Sequence, residues 1–146
     1  MSIAERSTQT VWEGPLASGT GTFANSSSAV LDGQQVTWAA RTEAPGGKTS
    51  PEELAAAAHS SCFSMALSLK LGENKTPPQR LEVTAAVTLD EVDGAPTITT
   101  SALTVRAEVP GIDKDAFAAV VDEAAALCPV SRLFAGATIT VDAQLA

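Results

Sequence analysis

The chain has 146 residues and a formal net charge of −8, with nine Lys and Arg against 17 Asp and Glu. That balance excludes a surface built for nucleic acid or for an anionic membrane, both of which draw affinity from Lys and Arg. One domain over residues 1–146 is the expectation, and a chain of this length buries enough surface to need no disulfide staples. No apolar run of about 18 residues is present, and Met1-Ser-Ile-Ala-Glu-Arg carries no apolar stretch behind a basic patch. Neither a membrane span nor a signal peptide is expected. The expected compartment is the reducing cytoplasm, where a disulfide is more often catalytic or redox-sensing than structural.

Thr8–Trp12 and Gly19–Phe23 read as short strands, and Gly14-Pro15 with Ser18-Gly19 marks a hairpin between them. Asn25-Ser-Ser-Ser is a turn. Gln35–Ala40 reads as a third strand, and Glu43–Ser50 as a loop. A helix then starts with Ser50 as cap, Pro51 in the first turn, and Glu52 and Glu53 at the positive end of the macrodipole. It runs to about Lys70 and stops near Gly72. Its Leu, Ala, Phe and Met residues leave almost no polar face, which predicts burial all round.

Leu81–Leu89 alternates apolar and polar residues, as a strand with one covered face does. Asp93-Gly94 is a hairpin signal, and Ile98–Val109 is the returning strand. The apolar parity of that strand shifts between Ile98 and Leu103, which predicts a bulge. Asp113 caps a second helix. Phe117, Val120, Val121, Ala124 and Cys128 fall on one stripe of it, and Pro129 is read as its end. Thr138–Leu145 alternates as a last strand. Strands grouped around two helices give an α+β class.

The chemistry-bearing residues are few. Cys62 and Cys128 are the two cysteines, 66 positions apart, each in a helix-like apolar segment. Brought together, they can cycle between dithiol and disulfide; kept apart, they are small core hydrophobes. His59 shares a helix face with Cys62, which fits either a thiolate–imidazole pair or a buried histidine satisfied elsewhere. Two Cys and one His supply too few ligands for a zinc site, with none of the usual short spacings. Gly46-Gly47-Lys48-Thr49 has the end of a phosphate loop, but Thr42 stands where the leading glycine belongs, and Glu52 and Glu53 repel phosphate. Arg41 is either a surface charge or a guanidinium that lowers a thiol pKa, with Glu52 placed to orient it through a bidentate pair.

The run Pro51-Glu-Glu-Leu…His59-Ser-Ser-Cys62-Phe-Ser-Met-Ala-Leu67 and the box Cys128-Pro129-Val130-Ser131 resemble the two cysteine boxes of the osmotically inducible protein C (OsmC) and organic hydroperoxide resistance (Ohr) superfamily. Their order, separation and flanking strands also fit, so the resemblance covers nearly the whole chain. It is closest to the OsmC branch, by Val130 after Cys128-Pro129 and by His59 before the first cysteine. The N-terminal hairpin, where the other branch carries its site arginine, reads Ala17-Ser-Gly-Thr-Gly-Thr-Phe23, and Arg41 matches the OsmC branch's place for it. Lys48-Thr49-Ser50 and Ser60-Ser61 depart from the commoner Thr-Asn and Ala-Ala, changes expected to tune substrate preference.

The resemblance implies curved antiparallel sheets wrapped around two central helices in an intertwined homodimer. It implies a thiol peroxidase that reduces organic hydroperoxides to alcohols. Cys62 would become a sulfenic acid, Cys128 would resolve it as a disulfide, and an external dithiol would restore both. Arg41 would stabilise the thiolate, held by Glu52, and no metal, haem or flavin cofactor would be needed. On a continuous helix the ten residues from Glu52 to Cys62 span about 15 Å, so the resemblance and the spacing together imply a site shared between two chains. A small-ligand binder of the same fold, or a redox sensor without turnover, are the alternatives.

Overall fold

A computed structural model describes every residue from Met1 to Ala146. Its contacts group into two compact units, Met1–Leu54 and Ala55–Ala146. In the first, β1 (Gln9–Glu13), β2 (Thr20–Ala24) and β3 (Gln35–Val36) form an antiparallel sheet in that order. The β1–β2 hairpin turns where the sequence places it. Gly14 takes a φ of +91°, and a Cβ at Gly19 would stand 2.5 Å from the Pro15 carbonyl oxygen, so both glycines are required by the turn.

The third strand is shorter than expected. Gln35–Ala40 alternates as a strand would, yet pairing stops at Val36, and a short helix α1 (Trp38–Thr42) follows. Thr37 caps it, its hydroxyl accepting from the Ala40 amide at 3.0 Å. That local bond outweighs the modest β preference of two residues at the end of a ladder. The loop after α1 uses its own amides: Lys48 N donates to the Pro45 carbonyl, and Thr49 N to that of Gln35. The Thr49 hydroxyl donates to Glu53 Oε1 at 2.9 Å.

Helix α2 (Pro51–Glu73) is unbroken, and the Ser50 hydroxyl accepts from the Glu53 amide at its start. Its burial differs from the expectation. Glu52, His59, Phe63, Ala66, Leu67 and Leu71 form one buried stripe, whereas Met65 is 73% and Leu69 53% exposed. An apolar helix in one chain of this size finds cover for one face only.

In the second unit, β4 (Arg80–Val92) and β5 (Ala95–Glu108) form a long antiparallel hairpin. Asp93 and Gly94 both take positive φ, 52° and 79°, as a two-residue I′ turn requires. The predicted bulge is present: Thr88 pairs with Thr100 and Leu89 with Ile98, so Thr99 is the extra residue. Strand β6 (Thr138–Leu145) joins β5 in parallel, which makes this sheet mixed rather than wholly antiparallel.

Helix α3 (Lys114–Leu127) is capped by the Asp113 carboxylate, which accepts from the Ala116 amide at 2.8 Å. Pro129 ends this helix and also opens another, α4 (Pro129–Leu133), because a residue lacking an N–H fits the first helical position. The core of the unit joins Phe63, Leu67 and Leu71 of α2, Leu103, Val105 and Ala107 of β5, and Phe117, Val120, Val121 and Ala124 of α3, with Cys128 fully buried among them. No helix is long and apolar enough to cross a membrane.

Candidate active site

Cys128 lies between α3 and α4. Its amide closes the last turn of α3 on the Ala124 carbonyl, and it is the N-cap residue of α4. Cys62 lies on α2 beside the buried stripe, half-buried and packed against the core that contains Cys128. Both are free thiols, and the fold makes them neighbours: each affects the other's ionisation.

The surroundings of the two sulfurs differ. Burial holds the Cys62 thiol above its ordinary pKa; the Val130 amide pulls it back and the Cys128 side chain pushes it further up. None of these groups is cationic. Burial also raises Cys128, but the net shift is downward, through the Ser131 hydroxyl and amide, the Cys62 thiol and the Val130 amide beside its sulfur. Cys62 is the one that meets solvent. It opens into a groove of about 330 Å³ lined by Cys62, Met65, Ala66, Leu69, Leu127 and Pro129, apolar apart from the thiol.

His59 makes no pair with Cys62. Its ring is fully buried, with Nδ1 at 2.6 Å from the Ser101 hydroxyl and Nε2 at 2.8 Å from the Ser131 hydroxyl. Phe134 meets it edge-to-face at 5.3 Å. Burial lowers its pKa, so the ring is neutral near pH 7. No sequence motif marks Ser101 or Ser131 as a partner of His59. Ser101 did leave a signal: it is the polar member of the inward set Ser101, Leu103, Val105 and Ala107 on β5.

Arg41 and Glu52 are brought together in the first unit. Arg41 lies in the last turn of α1 and Glu52 in the first turn of α2. Nη2 of Arg41 donates to Oε1 of Glu52 at 2.6 Å, and Nε donates to Oε1 and Oε2 at 3.0 and 3.1 Å. The guanidinium lies 5.8 Å from the Trp38 ring centre. This planar, doubly held pair fixes the direction of a positive charge, as anion recognition requires. No three His, Cys, Asp or Glu side chains converge as a metal site.

A family model described as OsmC-like protein matches residues 44–143. The chain is 46% identical over 137 residues to the peroxiredoxin OsmC of Escherichia coli (strain K12), spanning 94% of each chain. The solved organic hydroperoxide resistance protein OhrB of Bacillus subtilis is 25% identical, with a TM-score of 0.71 over 99% of this chain and all of that one. An organic hydroperoxide resistance protein OsmC of Legionella pneumophila shares the fold, with a TM-score of 0.72 at 19% identity over 100% and 99% of the two chains.

Proposed function

Because the chain belongs to the OsmC-like family, we propose that it is a thiol-dependent peroxidase that reduces organic hydroperoxides to alcohols, with Cys62 and Cys128 as its redox pair. The carrying observation is the pair itself: two free neighbouring thiols, one opening into an apolar groove and one fully buried behind it. The alkyl or aryl part of the hydroperoxide lies along Met65, Leu69 and Leu127. The Cys62 thiolate attacks the terminal peroxide oxygen, the O–O bond breaks, and the alkoxide takes a proton to leave as the alcohol. Cys62 is then a sulfenic acid. Cys128 attacks that sulfur, hydroxide leaves and is protonated to water, and a disulfide remains. An external dithiol reduces it by exchange.

Cys62 needs a positive charge to be an effective nucleophile, since burial alone holds its thiol protonated. The Arg41–Glu52 pair is built to supply one. Glu52 and Cys62 lie ten residues apart on one unbroken helix, about 15 Å along its axis. The pair therefore serves the Cys62 of a second copy, in a homodimer that covers the exposed face of α2. The dithiol reductant is one that a reducing cytoplasm provides.

Cysteine variants separate the roles. Cys62→Ser loses peroxide reduction. Cys128→Ser consumes about one equivalent of hydroperoxide and then stops, with oxygen additions on Cys62 found by mass spectrometry. Full turnover by Cys62→Ser, or sustained turnover by Cys128→Ser with a dithiol, would refute the assignment.

A further inference from the structure

The peroxidase cycle as proposed uses two sulfurs and an ion pair; it leaves unexplained a fully buried histidine whose two nitrogens are both bonded to serines. These three residues come from three elements: His59 from α2, Ser101 from β5 and Ser131 from α4. All three side chains are buried. Burying an imidazole and two hydroxyls in a core otherwise apolar is costly unless each bond is made, and here every buried side-chain polar atom has a partner.

The direction of the network follows from its chemistry. A neutral imidazole has one donor nitrogen and one acceptor, and a hydroxyl has one proton. Cys128 is the N-cap of α4, and Ser131 occupies its third helical position. The Ser131 side chain therefore lies over the turn that Cys128 opens, although Cys128 makes no side-chain cap bond to a backbone amide there. If the Ser131 proton points to the Cys128 sulfur, Ser131 must accept from His59 Nε2–H. Nδ1 of His59 then accepts from the Ser101 hydroxyl. Every proton in the chain Ser101, His59, Ser131 is aimed toward Cys128, which favours negative charge on that sulfur. The lowered Cys128 pKa, with Ser131 among its causes, agrees with this polarity.

Given Cys62 and Cys128 in the roles proposed above, we propose that His59 is a positioning residue for the resolving half of the cycle: seated on Ser101, it fixes the Ser131 hydroxyl so that this donates to Cys128 as Cys128 attacks the Cys62 sulfenic acid. The step balances. Cys128 gives up its proton, its sulfur forms the S–S bond, and the S–O bond of the sulfenic acid breaks. The departing hydroxide takes up one proton as water. The Cys128 sulfur is oxidised as the sulfenic sulfur is reduced, so no further reagent enters. The role belongs to the second half-reaction and not to the attack on peroxide, since neither His59 nor Ser131 is among the groups acting on the Cys62 thiol.

The test follows the two half-reactions separately in a single turnover without reductant. Trapping with a sulfenic-acid reagent times the oxidation of Cys62, and quenched mass mapping times the Cys62–Cys128 disulfide. Ser131→Ala and His59→Gln should slow disulfide formation about tenfold or more, the effect of one charge-assisted hydrogen bond. They should also raise the sulfinic acid yield on Cys62, while sulfenic acid forms at close to the wild-type rate. Ser131→Thr, which keeps the hydroxyl, should recover most of the rate. His59→Gln retains two hydrogen-bonding ends, so it guards against loss of the fold in His59→Leu, and a thermal midpoint confirms that each variant is folded. Equal slowing of both half-reactions, or no change in disulfide formation, would overturn the proposal. If wild type forms sulfenic acid on Cys62 but no disulfide to Cys128, the redox-pair assignment fails, and this proposal falls with it by a different result.

Discussion

Cys62 and Cys128 differ in what surrounds them more than in what they are. The first faces an apolar groove without a cation acting on its sulfur, and the second is buried under hydroxyl and amide donors. In the proposed cycle, peroxide attack needs a charge that is not among the groups acting on the Cys62 thiol. Removing the proposed source with Arg41→Ala should raise the Cys62 pKa and move the pH profile of thiol alkylation to higher pH. Near neutrality the rate should fall, because less thiolate is present. Glu52→Gln should shift the profile in the same direction but less, since the guanidinium stays and only its bidentate seat is lost. The measurement is iodoacetamide alkylation of Cys62 against pH in each variant. A wild-type profile in Arg41→Ala would remove that residue from the site.

At the scale of elements, α2 and the end of α3 make the groove beside Cys62, from Met65, Ala66, Leu69, Leu127 and Pro129. An alkyl or aryl hydroperoxide bound there would bury surface worth about 25 cal/mol per Å², and hydrogen peroxide has none to bury. Cumene hydroperoxide should thus give a kcat/KM well above that of hydrogen peroxide, and Met65→Ser should narrow the gap by weakening the first. Equal values for the two substrates in wild type would show that the groove does not bind the organic part. Most of these elements were legible in the sequence because local signals agreed with the fold. Ser50 and Asp113 cap as their positions predict, and Asp93-Gly94 turns the hairpin. The parity shift marked the Thr99 bulge. What failed depended on competition between local and distant bonds. Gln35–Ala40 has strand periodicity, but a cap at Thr37 redirects it into α1. The partner of β6 is set by packing, which alternation along one strand does not reveal. Of the proposed site, the two cysteines, Arg41 and Glu52 are readable as candidates, and so is a buried His59 satisfied elsewhere. Its bonds to Ser101 and Ser131 are not, because two serines more than 40 positions from His59 carry no local sign of bonding to it.

For the whole molecule, the question is what covers the exposed side of α2. The helix is apolar along its length, yet Met65 and Leu69 remain exposed in the single chain, as do Leu127 at 39% and Leu133 at 77%. A second copy seated there would roof the Cys62 groove, with the substrate held between the two chains, and bring an Arg41–Glu52 pair to a foreign Cys62. Such a two-fold arrangement makes two equivalent sites, each with a cysteine pair from one chain and an ion pair from the other. Mixing separates this from a site built within one chain. A Cys62→Ser chain keeps the ion pair but has no nucleophile; an Arg41→Ala, Glu52→Ala chain keeps the nucleophile but has no ion pair. Each homodimer should be inactive or nearly so. Under conditions that exchange subunits, equal mixing should restore about a quarter of the wild-type activity, because half the dimers are mixed and each holds one complete site of two. Exchange is checked by native mass spectrometry with one chain isotopically labelled. Confirmed exchange without recovery would place the ion pair and the thiol in the same chain's site. A fully active monomer, isolated by size and assayed at the same dilution, would sink the shared site and leave the apolar face of α2 to another explanation.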